Sequence, residues 1–472
     1  MCLSREFYIH SPALMEQTGP SNIERQTNEV EPETDPDAGD SLHIPDGGWG
    51  WAVCFAGFMV NFTIVGLVYS NGIVALGIIT IYDSSISKTT MVGSIFIGVV
   101  LCAGPFVLLL MMFNVSHRQV IICGGFVSAV ATAGSFFVDQ VEVLYLTYGI
   151  LSGIFAGMSY FSSNTIVGSY FKKKRTLAVG ISQSGTGIGA FVLNNLLERS
   201  ISFYGMRGTF LIISGLFLNI VVYGTLCRPL KIVNMKDMNA NNLDNSENPG
   251  HSANELPTNM IKRFSSKCTY LHKIVFDLDV MKNTGMQLLL TVYFFWSSSE
   301  KIYVYLPAKV VNVGLTREQG ALIMSIIGAI IGPSQIITGI LGDVFHIPIS
   351  YLLMPSLFGL SATTLAFTFC NSFSLFALCA SIFAIFYGVS FTLRMVLVAS
   401  ILGGRNLTKG YSPLCLLVGL TFIIDSKIAG SLFDATQSYD SIFYFTTGSL
   451  FIACIVSSGI ICLQRNGKFH DK

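Results

Sequence analysis

Charge is what this chain has least of. Only 12% of its 472 residues are Asp, Glu, Lys or Arg, about half the roughly 25% of an ordinary soluble domain. That excludes a water-soluble globule. Formal net charge is +1, so there is no basic surplus and no nucleic-acid partner is expected. The first residues, Met1-Cys2-Leu3-Ser4-Arg5-Glu6, lack an apolar core region, and no cleaved signal peptide is read there. The 11 cysteines are scattered, several of them in apolar runs (Cys54, Cys102, Cys123, Cys379, Cys454). They show no CxxC or Cys/His ligand spacing, so they read as small packing residues, with no metal and no cofactor expected. None of the seven histidines falls inside an apolar run, and no Ser/His/Asp cluster is visible. The reading is not an enzyme. What is abundant is apolar surface: 51% of residues are hydrophobic and mean hydropathy is +0.61. That composition belongs to an all-α polytopic membrane protein.

Residues 1–44 are polar with an acidic run from Glu29 to Asp40, and read as a disordered cytoplasmic tail. About twelve apolar runs follow, near 52–79, 91–112, 119–138, 143–168, 176–197, 208–227, 284–306, 319–342, 349–369, 373–402, 411–433 and 441–463. Each is long enough to cross roughly 30 Å of hydrocarbon as a helix. An Asn- and Lys-rich linker, 228–282, interrupts the series. Six spans (45–227), a linker and six spans (283–463), then a short tail (464–472), is the pattern of the major facilitator fold with its two six-helix halves. Lysines and arginines set the orientation. With the N-terminus inside, cytoplasmic loops hold Arg118, Lys172, Lys173, Lys174, Arg175, Arg228, Lys231, Lys262, Arg263, Lys267, Arg405, Lys409, Arg465 and Lys468. Outer loops hold chiefly Lys88, Arg199, Arg207, Lys309 and Arg317. Both termini are therefore expected in the cytoplasm. Sequons at Asn61, Asn114 and Asn406 fall in a span or on the inside and read as unglycosylated.

Two stretches carry most of the motif information. Pro45-Asp46-Gly47-Gly48-Trp49-Gly50-Trp51 sits where the tail meets the first apolar run and holds two of the chain's three tryptophans. Indole favours a membrane–water boundary. Tyr170-Phe171-Lys172-Lys173-Lys174-Arg175-Thr176-Leu177-Ala178-Val179-Gly180 feeds a glycine-rich fifth span. There Gly185 and Gly189, four apart, make a small face for close helix contact. Together these stretches resemble the two signatures of the monocarboxylate transporter family (solute carrier family 16) of the major facilitator superfamily. Ser182 and Ser184 replace alanines usual there. The Ile166-to-Phe171 run, Gly339-to-Asp343 and Ala429-to-Asp434 agree. The resemblance covers about residues 45 to 463 without the linker and marks a divergent member.

The resemblance implies a first-helix lysine that meets the substrate carboxylate, and an aspartate and arginine one turn apart on the eighth helix. Here Tyr69 fills the lysine's place, with Ser70 and Asn71 beside it, and Ile331 and Gln335 fill the other two. The usual proton–lactate mechanism is therefore not expected. Other intramembrane charges remain, and such charges are costly and commonly functional. Arg394 lies near the middle of the tenth span, where substrate sites of this fold lie. It reads either as counter-ion to a substrate carboxylate with Asp425 as resting partner, or as half of a structural Arg–Asp pair. Asp425 and Glu300 are candidates for coupling or gating, and Glu300 and Lys301 read as snorkelling into an outer vestibule. Tyr387, Tyr69, Asn71, Tyr160, Asn164 and Gln183 are candidate substrate contacts, any of which is otherwise interhelical hydrogen-bond glue. Trp296 would add an apolar wall.

The expectation is a plasma-membrane secondary transporter of monocarboxylates or related small organic acids working by alternating access. A uniporter of larger amphipathic substrates, such as aromatic amino acids, is the alternative. A non-transporting receptor or scaffold is a third reading. Expected partners are the substrate and the lipid bilayer, and the resemblance adds a single-span immunoglobulin-type chaperone.

Overall fold

The computed structural model describes residues 46–82, 86–228 and 278–465, all within one compact unit. The 1–44 tail, linker residues 229–277 and residues 466–472 lie outside them, with Pro45, Lys231, Lys262, Arg263, Lys267 and Lys468. Among the described residues the regular structure is entirely helical.

Twelve spans can be followed. Nine helices are long and apolar enough to cross a membrane, and Met91–Leu101 with Gly104–Met112 makes a tenth, bent by 43°. The 52-residue helix Arg175–Leu226 is two spans that meet at Gly205 (φ 67°, ψ 176°). Only glycine adopts that conformation without strain, so the chain reverses there with no loop. The seventh span is broken into Thr284–Trp296, a 3₁₀ turn Ser297–Glu300, and Lys301–Asn312. The first span, Gly50–Tyr69, continues as Asn71–Tyr82 past Ser70, whose hydroxyl donates to Gly66 O (2.8 Å).

Local chemistry sets the ends. Ser116 with Gln119 and Thr316 with Gln319 form capping boxes that start the third and eighth spans. Each box satisfies two backbone N–H groups that would otherwise be unpaired. Asn283 and Ser372 cap the seventh and tenth.

Small residues let the spans approach backbone to backbone. On the fifth span, the Gly185–Gly189 face lies against Phe58 and Phe62 of the first. Gly180 and Gly187 lie against Gln335 and Gly328 of the eighth, and from the eighth span Gly332 meets Ser184 O and Gly339 meets Leu177. The second span meets the eleventh at Gly104–Ser412 and Gly419–Cys102. Near the basic loops the two groups of six close further. Leu177 N–H donates to Asp343 Oδ2 (2.7 Å), and Gly168 packs on Met395 and Leu407.

Candidate functional site

The buried centre between the two groups of helices is built from aromatic rings and two charges. The tenth span (Phe373–Leu402) contributes Phe383, Tyr387 and Phe391 at four-residue steps, one face of a helix. Tyr387 stacks on Phe383 (5.7 Å), Phe391 (6.0 Å) and Trp296 (5.4 Å). Trp296 Nε1 donates to Ser390 Oγ (2.8 Å), and Tyr293 Oη donates to Ser390 O (2.8 Å). The seventh span is thereby fixed against the tenth.

Arg394, one turn further along, is 1% exposed. Its Nη2 donates to Tyr160 Oη (3.1 Å) on the fourth span and Tyr411 Oη (3.4 Å) on the eleventh. The guanidinium carbon lies 4.7 Å from the Phe391 ring centre. Arg394 makes no ion pair among the described residues, and its Nε has no hydrogen-bond partner. A buried guanidinium with an unused donor is a ready receptor for an anion.

Glu300, at the break of the seventh span, is half-buried and accepts from Tyr387 Oη (2.6 Å). The Tyr387 and Tyr69 hydroxyls lie 2.9 Å apart, and Tyr69 stacks on Tyr303 at 4.6 Å. A hydrogen-bonded chain thus runs Glu300–Tyr387–Tyr69 from the seventh span through the tenth to the first.

Two expectations are corrected. Asp425 is not the partner of Arg394: it accepts from Ser297 Oγ (3.1 Å) and Ser298 Oγ (3.0 Å). The reason is depth. Tyr411 is the eleventh-span residue level with Arg394, and Asp425 lies 14 residues on, about 21 Å along the helix. Asp425 instead ties the eleventh span to the broken seventh. Lys301 does not snorkel. It is 1% exposed, and Nζ donates to Phe422 O (2.7 Å) and Ser426 Oγ (2.6 Å). The 3₁₀ turn directs it towards the eleventh span, whereas Glu300 meets Tyr387. Asn164 is held in reciprocal amide bonds with Asn61 (3.3 Å each way), and Asn61 also donates to Ser182 Oγ (3.3 Å). That buried ladder joins the first, fourth and fifth spans.

The remaining candidates separate. Tyr387 and Tyr69 join the chain from Glu300, and Tyr160 meets Arg394. Asn71 packs on Gly93 of the second span instead. Gln183 is fully buried with neither amide atom partnered. Of the two positions on the eighth span, Ile331 is buried, and Gln335 Oε1 accepts from Thr186 Oγ1 (3.3 Å) at the seam with the fifth. Tyr303, Phe391 and Tyr411 were not singled out from sequence. The four-residue aromatic repeat on the tenth span was the signal for Phe391.

The two signature stretches are in contact. Asp46, at φ 45°, accepts from the backbone N–H groups of Lys172 (2.6 Å) and Lys173 (2.8 Å) through one oxygen, Oδ1. Gly50 N–H donates to Gly47 O (3.0 Å), a turn that Gly48 permits with φ 54°. Trp49 Nε1 donates to Leu226 O (2.9 Å), and Arg228 lies over the Trp49 ring. Trp51 packs on Phe171 (5.1 Å), whose ring also covers Gly50. Arg175 Nε donates to the Gly168 and Phe171 carbonyls (2.9 Å each), closing the end of the fourth span. Lys172, Lys173 and Lys174 point out. Replacing Asp46 with Ala removes two charge-assisted bonds, each about 1.5–3 kcal/mol. Amide exchange at Lys172 and Lys173 should then quicken by roughly tenfold or more, measured by mass spectrometry on the purified protein. Unchanged exchange there would show that Asp46 does not hold the loop.

Comparison with known proteins places this architecture. The family described as Major Facilitator Superfamily matches residues 50–345. Monocarboxylate transporter 9 of Gallus gallus is 26% identical over 478 residues, covering 89% of this chain and 93% of that protein. Monocarboxylate transporter 12 of Homo sapiens is 26% identical, covering 91% and 83%, and monocarboxylate transporter 14 of Homo sapiens is 25% identical, covering 84% and 88%. Among solved structures, a double Trp mutant of XylE superposes with TM-score 0.63 at 14% identity, covering 87% of this chain and 95% of that one. FucP in the outward conformation superposes with TM-score 0.56 at 14% identity, covering 87% and 98%. The chain belongs to the major facilitator superfamily of multi-pass membrane transporters, as a divergent relative of its monocarboxylate transporters.

Proposed function

We propose that the protein is a plasma-membrane secondary transporter of small organic acids, and that Arg394 receives the substrate carboxylate. The observation that carries this is the buried guanidinium on the tenth span, without an ion pair among the described residues and with its Nε unpartnered. The relatives named monocarboxylate transporters support the substrate class. The two six-helix halves, 45–227 and 283–463, would rock about this fixed point so that it faces each side in turn. The test is uptake in cells lacking endogenous carriers, with a panel of monocarboxylates and aromatic amino acids beside their amides. Saturable uptake of acids but not amides is expected, and an absence of saturable uptake for any acid refutes the reading. An imposed acid-outside gradient separates the coupling modes: proton symport accelerates inward flux and uniport ignores the gradient.

A second reading is favoured by Glu300. A carboxylate and a guanidinium in one aromatic chamber suit a substrate with two poles and an apolar body, such as an aromatic amino acid. Arg394 would take its carboxylate, Glu300 its ammonium, and Trp296, Tyr387 and Tyr303 its ring, with aromatic stacking adding about 0.5–1.5 kcal/mol. Glu300→Gln should then weaken amino-acid uptake by roughly 10- to 100-fold, the value of about 1.5–3 kcal/mol for a hydrogen bond to a charge, while sparing the amine-free acid. Equal loss for both substrates would leave Glu300 no part in reading the ammonium.

A further inference from the structure

Cys370 lies in the connection from the ninth span (Ile349–Phe367) to the tenth and Cys379 in the second turn of the tenth, and their Sγ atoms lie 3.6 Å apart. Cys370 is 1% exposed and Cys379 9%. Among the described residues no other cysteine pair is in hydrogen-bonding contact. The ninth span starts just after Asp343, which bonds the fifth span beside the Lys172–Arg175 loop. Its 19 residues then carry the chain about 28 Å away from the basic loops. By the distribution of lysine and arginine, that end faces outward, the side on which disulfides form and persist.

We propose that Cys370 and Cys379 are joined by a disulfide in the mature protein. Closing the gap to the covalent distance of about 2.05 Å needs roughly 1.5 Å of movement. Cys370 lies outside the helices, in backbone able to supply it. The two thiols give up two protons and two electrons to a donor disulfide, either oxidised glutathione or a dithiol–disulfide oxidoreductase, which leaves as two thiols. Burial then shields the bond from attacking thiolates. The bond fixes the outer end of the helix face that carries Cys379, Phe383, Tyr387 and Phe391. Phe367 already packs there against Phe376 (6.3 Å) and Phe383 (6.0 Å).

The experiment uses full-length protein made through the secretory route. It is denatured and alkylated with light maleimide, reduced, and alkylated again with heavy maleimide. Phe373 and Phe376 lie between the cysteines, so chymotrypsin puts them on separate peptides unless they are bonded. Heavy label on both, and a linked peptide pair when reduction is omitted, is the expected result. Light label on both before reduction overturns the proposal. As a second readout, a reducing agent should lower the melting temperature of the wild type and leave that of the Cys370→Ser/Cys379→Ser double variant unmoved. Equal shifts in the two proteins would also overturn it. Neither readout depends on which substrate the carrier takes.

Discussion

Arg394→Gln is expected to abolish saturable uptake while leaving the protein abundant at the surface and undiminished in melting temperature. Among the described residues the buried guanidinium has no carboxylate partner, and its hydrogen bonds go to neutral hydroxyls, Tyr160 and Tyr411. Breaking a true buried ion pair destabilises a protein by about 3–5 kcal/mol, because it strands the other charge. Here no charge is stranded, so a purely structural loss has little to act on. A substrate carboxylate is different: two charge-assisted bonds at about 1.5–3 kcal/mol each amount to roughly 100-fold or more in kcat/KM. Uptake measured beside surface biotinylation and a thermal melt decides it. Normal uptake by the variant removes Arg394 from the substrate site. A large fall in melting temperature makes it a structural residue.

The second large effect concerns packing. Gly189→Ala should remove most of the folded carrier from the membrane. A Cβ at Gly189 would meet the carbonyl carbon and Cα of Phe62, each 2.9 Å away. Both are backbone atoms in a neighbouring helix, so neither can swing aside. Overpacking of this kind costs about 1–3 kcal/mol, and more where relief needs a whole helix to move. Gly215 is the matched control: it lies in the same helical run, and nothing comes within 4 Å of the added carbon. There alanine should be neutral or stabilising by about 1 kcal/mol through helix propensity. Surface abundance and melting temperature of the two variants side by side are the measurement. A well-expressed Gly189→Ala protein with a wild-type melt would show that the first and fifth spans are not in that contact.

Much of this was legible in the sequence, and the omissions have physical causes. Apolar run length marks a crossing whatever its neighbours do, so the succession of spans was readable. The break of the seventh span was not, because Ser297, Ser298 and Ser299 interrupt hydropathy only mildly and the 3₁₀ turn depends on Asp425 arriving from another helix. Arg394 stood out because a lone cation in an apolar run is rare. Its partners did not: Tyr160 and Tyr411 sit on two other spans, and their levels relative to Arg394 follow from how the helices stagger. The same stagger separates Arg394 from Asp425, whose pairing rested only on both being charges within apolar spans. Asp46 and the Lys172–Lys173 amides illustrate the same limit. Each motif was visible, but their contact across 126 residues is a property of the packed bundle.

On the proposed alternating-access reading, the seam between the fifth and eighth spans is where the two halves would slide. Gly180, Gly187, Gly332 and Gly339 bring bare backbone against backbone or small groups, so few side chains interlock along its length. Sliding such a surface needs few rotamer changes, whereas parting it forfeits the close backbone contacts. On that reading the seam would serve as a smooth bearing. The latch lies at its end, in the Asp343–Leu177 bond. The rate of switching should therefore be set by a few polar contacts near the basic loops, leaving the long apolar interface to guide the motion without resisting it.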